Sequence, residues 1–213
     1  PGAVLLTGSD PQAGEFFAAR AVPQLPIAPA ATADAATFLV DTSLSSNPDR
    51  FNIYLTLLRA VLDKNRDSLK TFNVLFFSVD AHWYSPQPVA NTPANVDAVL
   101  AFANTLALEG ATDLGAALAE AAHHGKTDLF LLSDGAATWG QGNLHALGKL
   151  LAGTGALFAY QTGLAGTDTS ALVHLARESG GAVFSVTGEA EIDKAATAHV
   201  NRHGRARSVE VTG

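Results

Sequence analysis

Along most of this chain, short runs of consecutive apolar residues alternate with stretches at helical spacing. ATFLV (36–40), TFNVLFFSV (71–79), TDLFLLSD (127–134), ALFAYQT (156–162) and AVFSV (182–186) are such runs. Continuous apolar character over four to eight residues is the pattern of a strand covered on both faces. Between the runs, Phe51, Tyr54, Leu55, Leu58 and Val61 recur at helical spacing, as do Val96, Val99, Leu100 and Ala103. Further helices are predicted over about 114–122, 143–152, 169–178 and 189–200. Asn47-Pro48 and Thr92-Pro93 each supply an N-cap followed by a proline at the first helical position. HWYSPQPVAN (82–91) carries two prolines, which bar a central strand and predict a short edge strand with a loop. Strands alternating with helices imply parallel βαβ units and a doubly wound α/β sheet.

The ends follow a different pattern. Residues 1–35 are rich in Ala, Pro and Gly; VLLTG and EFFAARAV read as short strands and PQLPIAPAATAD as a connector. ARSVEVT near the C-terminus also reads as a strand. These end strands are expected to pair with each other or with the flank of the domain, because unpaired edges are a liability. The predicted organisation is an N-terminal extension (1–35), one α/β domain (36–200) and a C-terminal strand-like extension (201–213). The chain begins at Pro1, without Met or a signal-like segment, and is expected to be part of a longer protein or a processed product.

Composition narrows the function. Net charge is −7, and the short basic cluster Arg202-His203-Gly204-Arg205-Ala206-Arg207 lacks aromatic interleaving, so nucleic acid is not an expected partner. The absence of cysteine excludes disulfides, thiolate zinc sites and cysteine nucleophiles. No apolar run approaches the ~20 residues of a membrane helix.

Ligands of an open parallel sheet bind outside the carboxyl ends of its strands. Asp41-Thr42-Ser43-Leu44-Ser45 follows one strand and Asp134-Gly135 another, while Gly110-Ala111-Thr112-Asp113 precedes a helix that returns to the sheet. Their polar atoms are carboxylates and hydroxyls, a set that suits hard cations, Mg²⁺ first and then Mn²⁺ or Ca²⁺. The alternation of Asp41, Ser43 and Ser45 suits an extended loop that turns every second side chain to one side. His199 and His203 are four apart, but Val200 stands where a zinc protease needs glutamate, so a solvated helix face is expected there.

DTSLS resembles the D-x-S-x-S signature of the von Willebrand factor A (vWA) domain, with Thr112 in EGATDLGAAL and Asp134 in LLSDG matching its second and third loops. The resemblance covers roughly residues 36–200 and is closest to inter-α-trypsin-inhibitor heavy-chain-like proteins, through EFFAARAVPQLP upstream and FFSVDAHWYSP before the second helix. It implies a Rossmann-like, mostly parallel sheet with one antiparallel edge strand and helices on both faces. It also implies a metal-ion-dependent adhesion site. There Ser43, Ser45 and Thr112 would be hydroxyl ligands of a divalent cation, with Asp41 and Asp134 binding directly or through water. The family usually has Gly-Ser-Met where this chain has Leu44-Ser45-Ser46. The bulkier Leu44 is expected to restrict access or shift the loop, but no ligand-bearing position is lost.

The function expected from these features is a metal-dependent protein-interaction module, not an enzyme, whose open coordination position takes an acidic side chain of a protein partner. A metal-free scaffold within a larger assembly is the alternative, with a hydrolase less favoured because no histidine stands beside a candidate serine in a recognised motif. The resemblance alone favours an extracellular or cell-envelope location. Trp139 and Thr138, in the loop after Asp134, and Asp113, beside Thr112, are the candidate partner-binding residues. Trp139 lacks apolar neighbours at regular spacing, which leaves an exposed anchor and a lid over the sheet rim as competing expectations.

Overall fold

The computed structural model of the chain describes residues 3–21 and 34–200. It divides into two compact units, residues 1–30 and 31–213. In the first, β1 (Ala3–Asp10) and β2 (Gly14–Ala21) form an antiparallel hairpin with Asp10 opposite Gly14. The Asp10 carboxylate accepts from the Gln12 and Ala13 amides and closes the turn. Val4, Leu5, Leu6, Phe16 and Phe17 of this hairpin are exposed. The predicted strand ARSVEVT, the basic cluster and the connector PQLPIAPAATA lie outside the described residues.

The second unit follows the alternation read from the sequence. Its elements are β3 (Ala35–Asp41), α1 (Pro48–Lys64), β4 (Thr71–Phe77), β5 (Ala81–Trp83), β6 (Val89–Ala90), α2 (Pro93–Ala103) and α3 (Leu114–His123), followed by β7 (Asp128–Leu132), α4 (Leu144–Leu150), β8 (Leu157–Gln161), α5 (Thr169–Ser179), β9 (Ala182–Ser185) and α6 (Glu189–Ala198). The sheet runs β5-β4-β3-β7-β8-β9, with β6 also on β4. The β4-β3-β7-β8-β9 pairings are parallel, and β5 and β6 pair antiparallel with β4 at the edge. The fold class is the expected one: a Rossmann-like, mostly parallel sheet with an antiparallel edge.

Alternate strand residues feed two separate cores. Phe38, Val40, Val74, Phe130 and Phe158 join α1, α2 and α6 on one face. Leu39, Leu75, Leu129, Leu131 and Leu157 join α3, α4 and α5 on the other. The strands are therefore mostly apolar on both faces, with Thr37 and Asn73 among the buried exceptions, as two covered faces require. Asn47 and Thr92 cap α1 and α2 through their side chains, each followed by proline, as the sequence predicts.

One expectation is corrected. His199 is buried, not on a solvated face: its ring meets those of Phe130 at 5.0 Å and Phe158 at 5.6 Å, edge on. His199 directly follows α6 and turns into the aromatic layer of the sheet. His203 itself lies outside the described residues.

Phe130 also stacks on Phe38 at 4.9 Å and tilts against Phe158 at 5.5 Å. This makes it the hinge of the aromatic layer under α1 and α6. Phe130→Ala is expected to lower unfolding free energy by about 3–5 kcal/mol in denaturant titration; a loss near zero would show that this layer does not hold the domain.

Candidate metal centre

The site forms where the winding of the sheet reverses. From β3 the chain passes through α1 to β4 on one side, while β7 lies on the other side of β3. The helices after β3 and β7 then leave to opposite faces, α1 to one core and α4 to the other. The gap between them at the carboxyl ends is the usual ligand crevice of such sheets. Val40 is opposite Leu132, so Asp41 comes level with Ser133 and one residue from Asp134.

Backbone hydrogen bonds fix the three loops against one another. The Leu44 amide donates to Gly110 O at 3.0 Å and the Glu109 amide to Thr42 O at 3.0 Å. The Thr138 and Trp139 amides both donate to Thr112 O at 3.1 Å. Thr138 Oγ1 accepts from the Thr112 amide at 2.9 Å, so Thr138 holds both the N–H and the C=O of Thr112. Asp113 caps α3 by accepting from the Ala116 amide at 2.8 Å. Gly140 sits against the Asp113 carboxylate with φ at +66°, a position where a β-carbon would collide. Gly135, directly after Asp134, has φ +77° and would place a β-carbon 2.8 Å from Leu172.

The predicted ligand residues converge. Thr112 Oγ1 donates to Ser43 Oγ at 2.9 Å, and Ser43 Oγ lies 3.0 Å from Ser45 Oγ. Asp41, wholly buried, accepts from the Ser43 amide at 2.9 Å and from Ser133 Oγ at 2.7 Å. Asp134 Oδ1 accepts from the Ala136 amide at 3.0 Å. Ser45 alone of the five is exposed, at the outer end of the hydroxyl chain. Leu44, which stands where the resembling family usually has glycine, is 71% exposed and does not fill the space among the candidate ligands. Trp139 is 60% exposed and does not fold back over the sheet.

Two site residues were not anticipated. Ser133 donates to Asp41, as above. Arg50, only 2% exposed, donates through Nη1 to Asp134 Oδ2 at 3.0 Å and to Ser45 O at 2.6 Å, and through Nη2 to Ala165 O at 2.6 Å. The available signal was spacing: Arg50 precedes Tyr54 by one helical turn, so a charged residue occupies the buried stripe of α1. Beneath the loop, Ser46 Oγ, Arg50 Nε and Tyr54 Oη are buried without a hydrogen-bond partner.

Among the described residues, no group of three or more His, Asp and Glu side chains is placed to hold a metal. A cation here would therefore depend on hydroxyls for most of its protein oxygens. The donor set fits a small hard cation: three hydroxyl oxygens lie in a chain of contacts near 3 Å, beside two buried carboxylates. Burial pushes the Asp41 carboxyl above its usual range, and the charge of Asp134 adds to that; hydrogen bonds from Ser43 and Ser133 oppose it.

Comparison with solved structures identifies the fold. A von Willebrand factor type A protein from Catenulispora acidiphila superposes with TM-score 0.59 at 16% identity, over 78% of this chain and 41% of that one. An aerotolerance-related membrane protein from Bacteroides fragilis gives 0.61 at 15% identity, over 78% and 98%. Proximal thread matrix protein 1 from the mussel byssus, with a zinc-occupied MIDAS motif, gives 0.56 at 17%, over 78% and 47%. The chain thus spans less than half the length of the first and third. No family model matches the sequence, and no curated protein matches it. The fold is that of vWA domains.

A folded-state carboxyl raised above its unfolded value costs stability when ionised. That cost shrinks as pH falls through the folded value and is gone below the unfolded value of 3.8. Asparagine keeps the shape of Asp41: its amide oxygen can accept from the Ser43 amide, while its NH2 donates to Ser133 Oγ once that hydroxyl turns its proton away. In chelator, Asp41→Asn is therefore expected to be more stable than the parent at neutral pH, with the gap closing on acidification. A gap in denaturant midpoints that does not change with pH contradicts this.

Proposed function

We propose that this chain is a metal-dependent protein-interaction module. Ser43, Ser45 and Thr112 hold a divalent cation through their hydroxyls, Mg²⁺ by preference, with Asp41 and Asp134 contributing directly or through water. The observation that carries the reading is the convergence of the Ser45–Ser43–Thr112 hydroxyl chain beside Asp41 and Asp134. The zinc-occupied MIDAS motif of the mussel neighbour is consistent with it. When bound, such a cation supplies positive charge to an acidic side chain of a protein partner. The chain's own contribution is to fix the donors on three mutually bonded loops, so little ordering cost falls on binding. Trp139, on the rim beside Thr112, adds an exposed aromatic surface to the same contact.

No catalytic role is assigned. The chain has no cysteine, and the hydrogen bonds that hold the Ser43 and Ser45 hydroxyls come from hydroxyls rather than histidine. Among the described residues no helix is long and apolar enough to cross a membrane. An extracellular or envelope location is in keeping with the resemblance and with the Bacteroides membrane protein. A metal-free scaffold is favoured by one observation, the Arg50–Asp134 pair, which neutralises a carboxylate without a metal.

Calorimetry separates the two. Asp41→Ala is expected to abolish Mg²⁺ and Mn²⁺ binding with the circular dichroism spectrum retained, and Asp134→Ala to abolish it with a lower melting temperature, because Arg50 loses its carboxylate; unchanged affinity in both variants refutes the metal site. Trp139→Ala is expected to leave melting temperature and metal affinity nearly unchanged while weakening capture of the partner by about 2 kcal/mol. A large fall in stability instead would make Trp139 a structural residue.

A further inference from the structure

Arg50 is the buried cation of this edge. Its guanidinium spans three segments: the β3 loop through Ser45 O, the β7 loop through Asp134, and the segment after β8 through Ala165 O. Ser45 is exposed while Arg50 is 2% exposed, so the guanidinium lies on the inner side of the hydroxyl chain. Asp134 has one oxygen committed to Arg50 and the other to the Ala136 amide. Asp41 has no such cation and relies on Ser43 and Ser133. A buried arginine is costly unless paired, and here its pairing is with a residue of the candidate ligand set.

We propose that Arg50 is a positioning residue that fixes the charge of the metal site. It neutralises Asp134 before a cation arrives and holds Ser45 in place through its carbonyl. With both carboxyls ionised, as cation ligation requires, Asp41, Asp134 and Arg50 sum to one net negative charge. A divalent ion turns that into one net positive charge, which a single partner carboxylate matches. Without Arg50 the loaded site would be neutral and would lose that preference. Arg50 therefore trades metal affinity for selection of an anionic partner group. This rests on the metal-site reading above, and the test separates the two.

Mn²⁺ titrations by calorimetry would compare the parent with Arg50→Gln and Arg50→Lys. Removing a fixed positive charge beside the site should tighten Mn²⁺ binding in Arg50→Gln by about tenfold or more. Arg50→Lys, which keeps the charge, should stay near the parent. Acetate added to the Mn²⁺-loaded proteins, followed by water-proton relaxation, should displace water from the parent at lower concentration than from Arg50→Gln. Equal or weaker Mn²⁺ binding by Arg50→Gln, or the reverse acetate order, overturns the proposal and leaves the metal site standing. Mn²⁺ binding by Arg50→Gln but not by the parent supports the role of Arg50 and refutes the native metal site. Binding by neither refutes both. If Arg50→Gln does not fold in chelator, refolding in Mn²⁺ decides: recovery supports the proposal, and failure to recover overturns it.

Discussion

Two carboxylates share the carboxyl edge of adjacent parallel strands, both nearly closed off from water, and the structure around them is arranged to bear that. Asp41 and Asp134 have 0% and 2% of their surface exposed. Burial raises the proton affinity of Asp41, and the charge of Asp134 adds to the effect. Each is met differently. Asp134 receives Arg50, whereas Asp41 receives an amide and a hydroxyl and no cation. The hydroxyl chain of Ser43, Ser45 and Thr112 closes over this unbalanced pair.

The fold creates that problem before any side chain addresses it. Because β3 lies between β4 and β7, its loop and that of β7 face each other across the crevice. Parallel pairing in register brings Asp41 level with Ser133. The loop that carries Thr112 is bonded to both, through Gly110 O to Leu44 and through Thr112 O to Thr138 and Trp139. The two cores above and below the sheet are built mostly of apolar side chains, so the polar groups at the edge find most of their partners in one another.

Much of this was legible in the residues. The strands showed as unbroken apolar runs because both faces are covered, and Asn47-Pro48 and Thr92-Pro93 marked two helix starts to the residue. Asp41, Ser43, Ser45, Thr112 and Asp134 were legible because a strand end or a loop start exposes polar residues in a recognisable order. Arg50 was not, since a long side chain can belong to a helix surface or reach back beneath a neighbouring loop, and spacing alone does not distinguish them. Ser133 was hidden for a related reason: a small residue at a strand end reads as a turn former until the register places it opposite Asp41. His199 was misread because four-residue spacing defines a shared face without saying which way that face points.

Leu44 and Trp139 show how the edge divides its tasks. Both are large apolar residues in loops adjoining the candidate ligands, and both turn outward, at 71% and 60% exposure. Neither is needed to fill a core, because the apolar clusters beneath are complete without them. Their neighbours are the reverse: Ser43, Ser46, Arg50, Thr112 and Asp134 are buried and fixed by backbone geometry. A surface built this way can vary its exposed apolar residues at little cost to folding, since the loops are held by amides, hydroxyls and one guanidinium rather than by those side chains. The stability of these loops and their exposed apolar surface are thus carried by different atoms. The departure at Leu44 from the glycine usual in the resembling family then changes that exposed surface and leaves the hydroxyls and carboxylates in place.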